Sequence, residues 1–82
     1  MNGDSMNRLR DLREDKDLKQ IQLANMLDIS QTTYSRYETE ELNIPVETLI
    51  KLAIYYNTSI DYLVGITNER VAYKRINKVN SK

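Results

Sequence analysis

The sequence predicts an all-α fold, a compact bundle of five short helices, and three observations carry that prediction. Apolar residues recur three and four positions apart in five separate stretches. Glycine and proline together number three, too few for the many tight turns of an all-β domain. Residues that favour helix starts and left-handed turns stand between the stretches. At 82 residues the chain has material for one small core and none for a second.

Asp4 or Ser5 offers a cap for a first helix running to about Lys16, with Met6, Leu9 and Leu12 at helical spacing. Gln20 to Leu27 forms the second, with Leu23, Ala24 and Leu27 on one face. It stops at Asp28, where the chain needs a positive φ and aspartate is one of the few side chains that tolerates it. Ser30 caps the third helix, which carries Tyr34 and Tyr37 inward. Residues 38–44 read as a loop, and Pro45 opens the fourth helix, where a missing N–H does no harm. Leu49, Ile50, Leu52, Ala53 and Tyr56 give that helix a broad buried face, with Tyr55 left on the rim. Ser59 caps a short fifth helix through Ile60 and Leu63, and Gly65 ends it in the left-handed conformation.

Composition removes whole classes of chemistry. The chain has no histidine and no cysteine, so it has no imidazole base, no thiolate nucleophile, no disulfide and no usual zinc ligand set. There is no Gly-rich phosphate loop either. An enzyme is not expected, nor a cofactor or metal. No apolar run approaches a membrane span and no secretory signal is visible near the start, so a soluble, cytoplasmic module is expected. Net charge is zero, but it is unevenly spread. Residues 66–82 carry five basic side chains against Glu69 alone, while residues 1–65 carry seven bases against eleven acids. The division is therefore a folded domain over residues 6–65 and a basic tail over 66–82. From Asn68 the tail has three readings: disorder, which is the default without a partner, a phosphate-seeking arm, or a dimerising segment built on Val71, Ile76 and Val79.

The stretch from Gln20 to Tyr37 is the most informative. Ala24 is small where two helices would cross closely. With Tyr34 and Tyr37 turned to the core, Thr32, Ser35 and Arg36 project outward, and Gln31 reaches forward from the first turn. Glutamine pairs with adenine, arginine with guanine, and threonine meets the thymine methyl, so this row suits base edges in a major groove.

These features resemble the Cro/C1-type (XRE, lambda-repressor-like) helix-turn-helix family. The supporting strings are Leu9-Arg10-Asp11-Leu12-Arg13, Leu18-Lys19-Gln20, Leu23-Ala24-Asn25-Met26-Leu27, Ile29 through Glu38, Ile44 through Leu49, and Ser59 through Leu63, in this order and spacing. The resemblance implies a sequence-specific transcriptional regulator, a repressor by habit of the family, that binds a double-stranded DNA operator as a homodimer. It implies base contacts from Gln31, Thr32, Ser35 and Arg36 and phosphate contacts from Gln20, joined by Lys19 and Thr33. It also implies a partly buried ion pair between Arg13 and Glu38. Two departures stand out. Lys19 occupies the place of the usual Thr or Ser cap, and Thr39-Glu40-Glu41-Leu42-Asn43 replaces a loop that commonly offers lysine to phosphate. Glutamates facing DNA would repel it, so either the loop turns away or affinity is modest. The alternative is a protein-interaction module on the same fold, an antitoxin or anti-repressor partner with weak DNA binding.

Overall fold

The computed structural model describes residues 6–72. Its helices are α1 (Leu9–Asp15), α2 (Gln20–Leu27), α3 (Gln31–Thr39), α4 (Val46–Tyr55) and α5 (Ile60–Val64), and no strand forms among the described residues. Leu9 and Leu12 of α1, Leu23, Ala24 and Leu27 of α2, Tyr34 and Tyr37 of α3, Leu52 and Ala53 of α4, Tyr56 and Leu63 meet in one buried cluster. Each helix is too short to be stable alone, so burial of these faces is what holds it.

The helix ends explain how a chain with two glycines makes such short connections. Asp17, Asp28, Asn57 and Gly65 all take left-handed backbone, with φ of 56°, 59°, 53° and 89°. The next N–H then turns back to a carbonyl of the last helical turn: Leu18 to Arg13 at 3.0 Å, Ile29 to Ala24 at 2.9 Å, Thr58 to Ala53 at 2.9 Å and Ile66 to Asp61 at 3.0 Å. Aspartate and asparagine tolerate this conformation because their short polar side chains bond locally, and with Glu40 at the end of α3 four of the five described helix ends do without glycine. Gly65 has a further constraint. A Cβ there would lie 2.2 Å from the Met6 carbonyl oxygen. Gly65→Ala should therefore cost at least about 1 kcal/mol through the backbone conformation alone, and more for moving the Met6 backbone. A urea midpoint equal to wild type would show that this contact yields freely.

Several boundaries differ from the sequence expectation. The first helix begins at Leu9, and the caps proposed at Asp4 or Ser5 lie outside the described residues. Residues 7 and 8 are held by other elements. The Arg8 N–H donates to the Leu63 carbonyl at 2.8 Å. The Asn7 N–H donates to a Glu40 carboxylate oxygen at 2.8 Å and its side-chain amide to the Tyr37 carbonyl at 2.9 Å. Met6 is exposed in consequence. Glu38 and Thr39, read as loop, complete the last turn of α3. Pro45 caps α4 and does not lie within it. Ile50, expected in the buried face, is exposed, because the core takes the opposite edge of the helix through Leu49, Leu52, Ala53 and Tyr56. Tyr55 and Tyr56 divide as expected, with Tyr56 buried and Tyr55 exposed.

The start of the basic tail is tied to the domain. Arg8 donates through Nε to the Tyr62 carbonyl at 3.2 Å and through Nη2 to the Thr67 carbonyl at 2.9 Å and to Asn68 Oδ1 at 2.8 Å. Its guanidinium also lies 4.3 Å from the centre of the Tyr62 ring. The Thr58 hydroxyl donates to the Arg70 carbonyl at 2.5 Å, and Arg70 pairs with Asp15 at 3.5 Å. Thr67, Asn68 and Arg70 thus bond back to the domain. Ile76 and Val79 lie outside the described residues.

Candidate nucleic-acid interface

The start of α3 is set by Ser30, whose Oγ accepts the Thr33 N–H at 3.0 Å and whose hydroxyl donates to Thr33 Oγ1 at 2.9 Å. This cap satisfies one of the free N–H groups of the first turn. α2 starts differently. Lys19 has no side chain that can accept, and the Gln22 carboxamide reaches back to take the Lys19 N–H at 2.8 Å. That is the reciprocal arm of a capping box, and it offsets part of what the lysine gives up. Ala24, fully buried, lets α2 and α3 approach closely.

Tyr34 and Tyr37 face the core, so the opposite side of α3 is open. Gln31, Thr32, Ser35 and Arg36 lie there, and together with Gln20 and Glu41 they line one shallow, open depression. Gln31, Thr32 and Arg36 are exposed, whereas Ser35 is half-buried. Of the other positions singled out, Lys19 is exposed just before α2. Thr33 is half-buried and its hydroxyl is engaged by the Ser30 cap. Gln20 lines the depression, but its side-chain amide donates inward to Glu38 Oε1 at 3.1 Å.

That bond belongs to the network under the depression. Arg13 reaches Glu38 with two nitrogens, Nε to Oε2 at 2.7 Å and Nη2 to Oε1 at 3.2 Å, and its Nη1 donates to the Leu18 carbonyl at 2.9 Å. The two side chains are 12% and 4% exposed, so the pair is desolvated on both sides. Burial alone would raise the Glu38 carboxyl, but hydrogen bonds from Arg13 and Gln20 and the proximity of the Tyr34 hydroxyl outweigh it and hold it below the usual carboxylate range. The Tyr34 and Tyr56 hydroxyls are buried and neither makes a well-aligned hydrogen bond, although the Tyr34 hydroxyl lies next to the Glu38 carboxylate. Desolvation first, then the hydrogen-bonding proximity and charge of Glu38, pushes the Tyr34 phenol up, so it stays neutral. This network fixes α1, the start of α2 and the end of α3 to one another, so it sets the rigidity of the surface above it.

The sequence raised Glu40 and Glu41 together as acids that could face DNA, but it did not distinguish them or show that Glu41 lies beside Arg36. Glu41 follows Arg36 by five residues, across the left-handed turn at Glu40, and no helical period relates the two. Asn7 was also missed, because its role is to bridge chain segments thirty and more residues apart.

A family model described as helix-turn-helix matches residues 9–63, the span from the start of α1 to α5. Among curated relatives, YobD of Bacillus subtilis, an uncharacterized HTH-type transcriptional regulator, is 39% identical over 62 residues, covering 76% of this chain and 55% of its own. The cryptic phage CTXphi transcriptional repressor RstR of Vibrio cholerae is 33% identical over 72 residues, 88% of this chain and 65% of its own. The HTH-type transcriptional regulator ImmR of Bacillus subtilis is 36% identical over 58 residues, 71% and 46% respectively. The chain thus spans about half to two thirds of the length of these relatives. No solved structure matches it significantly. Two helices locked at Ala24 with an open polar row on the second, inside a matched span of five helices, leave one assignment: the chain belongs to the Cro/C1-type (XRE) helix-turn-helix family.

Proposed function

We propose that this protein is a sequence-specific, double-stranded-DNA-binding transcriptional regulator, a repressor, that acts as a homodimer on a two-fold operator. The observation that carries the reading is the row Gln31, Thr32, Ser35 and Arg36 on the open side of α3, backed by a buried network that keeps it rigid. α3 enters the major groove in this reading, where glutamine and arginine make the bidentate contacts that tell base pairs apart. Lys19, Gln20 at the start of α2, and Thr33 serve the phosphates in this reading. A homodimer has surface available: Val46, Ile50 and Ile54 form an apolar line along α4 that the core does not use.

The test is a mobility shift on the DNA upstream of the protein's own coding region, at two salt concentrations. Binding should weaken steeply with salt, as phosphate contacts require. Arg36→Ala should weaken specific binding by about 1–3 kcal/mol and relax the preference at one base pair, while the melting temperature stays put. Equal losses on specific and random DNA would move Arg36 to a phosphate. A second reading, a protein-interaction module with weak DNA binding, draws on the place of Glu41, an acid inside the face that would meet DNA. Failure to shift any duplex at low salt would favour it.

A further inference from the structure

Two adjacent glutamates follow α3, and the fold sends them to opposite sides. Glu40 takes left-handed backbone with φ 68°, and its carboxylate accepts the Asn7 N–H at 2.8 Å, toward α1. The Leu42 N–H returns to the Arg36 carbonyl at 3.3 Å, which ties the loop to the end of the helix. Glu41, between them, is thereby delivered to the depression lined by Gln20, Gln31, Thr32, Ser35 and Arg36. Its Oε1 lies 3.7 Å from Arg36 Nε, with the two side chains 67% and 54% exposed. An ion pair this open and this long adds almost nothing to stability, so folding does not account for it.

The atom approached is the telling detail. Nε is the inner nitrogen of the guanidinium, and the two terminal nitrogens are the ones that pair with O6 and N7 of a guanine. An arginine approached at Nε keeps a fork free at its tip, and once a duplex shields the pair from water the attraction strengthens and biases the guanidinium toward that placement. We propose that Glu41 is a specificity-determining positioning residue, which orients Arg36 for a guanine and disfavours the placement of the same guanidinium on a phosphate. The second effect follows from charge. When Arg36 swings to the backbone it leaves Glu41 unpaired beside a polyanion, whereas in the groove the two stay together. Phosphate contacts carry no sequence information, so removing that alternative sharpens discrimination. The inference rests on the DNA-binding reading above and adds Glu41 to it.

The experiment is a selection from a duplex pool with a randomised centre, carried out with the full chain and with Glu41→Gln, Arg36→Gln and the double variant. The wild type should enrich a motif with guanine at one position in each half-site. Glu41→Gln should lose about tenfold of the preference at that same position, the scale of one bidentate base contact, while its thermal midpoint matches wild type. The double variant should lose no more there than Arg36→Gln alone. A Glu41→Gln protein that keeps the guanine preference and merely binds every duplex more tightly overturns the proposal, since Glu41 would then be a general repellent. Loss of preference at a different position also overturns it and makes Glu41 a direct reader. If the wild type binds no duplex in the pool at low salt, the DNA-binding reading itself falls, an outcome distinct from both.

Discussion

Tyr34→Ala should leave the domain largely unfolded at temperatures where the wild type is folded. The side chain is fully buried at the centre of α3 and belongs to the cluster that all five helices share. Large aromatic truncations in cores cost about 3–5 kcal/mol, because the lost transfer energy is joined by a cavity that neighbours fill only in part. A domain of this size has about 5 kcal/mol or little more in total. The loss is therefore comparable to everything that holds the fold. Thermal unfolding followed by circular dichroism decides the matter. A midpoint within a few degrees of wild type would mean that α3 is rotated from the orientation described, and with it the whole row from Gln31 to Arg36.

Glu38→Gln should be nearly as damaging, for a different reason. The substitution leaves the Arg13 guanidinium buried against a neutral amide, and stranding one partner of a buried pair costs about 3–5 kcal/mol when burial is deep. A double-mutant cycle with Arg13→Met separates pairing from packing, and additive single effects would dissolve the pair. The same site gives a pH dependence whose sign is fixed. The folded-state Glu38 carboxyl is held below its ordinary range, so the unfolded chain binds its proton first as pH falls. The contribution is fully present above the ordinary carboxylate range, near pH 4.5, and is lost as pH falls through the depressed folded value. Wild type should lose stability on acidification through that window, and Glu38→Gln should lose less over the same interval. Equal acid sensitivity in the two proteins would place the titration on other carboxylates.

The two effects bear on function through one route. Gln20 and Arg13 meet on the same carboxylate, so losing Glu38 loosens the start of α2 and the end of α3 together. On the DNA-binding function proposed above, a variant that still folds should blur base preference before it loses general affinity.

Much of this was determined by the sequence itself. The inward stripe of Leu23, Ala24, Leu27, Tyr34 and Tyr37 follows from a 3.6-residue period, and that period leaves Thr32, Ser35 and Arg36 outside. The caps at Ser30 and Ser59 and the left-handed turns at Asp28 and Gly65 were legible too, because a helix end needs a specific side chain or a specific φ within three or four residues. Features that join distant segments were not, apart from the Arg13–Glu38 pair, which came from the family resemblance and not from local pattern. Residues 7 and 8 bond to α3 and α5, which delays α1 until Leu9. Ile50 lies outside the core because the packing of α4 takes one edge of an apolar face wider than it needs. Gln20 turns in to Glu38, Arg8 draws Thr67 and Asn68 onto the domain, and Glu41 comes to rest beside Arg36. Local pattern encodes what a residue does to its own turn of helix, whereas these contacts form only once the helices have docked, and their partners are set by the angle of docking.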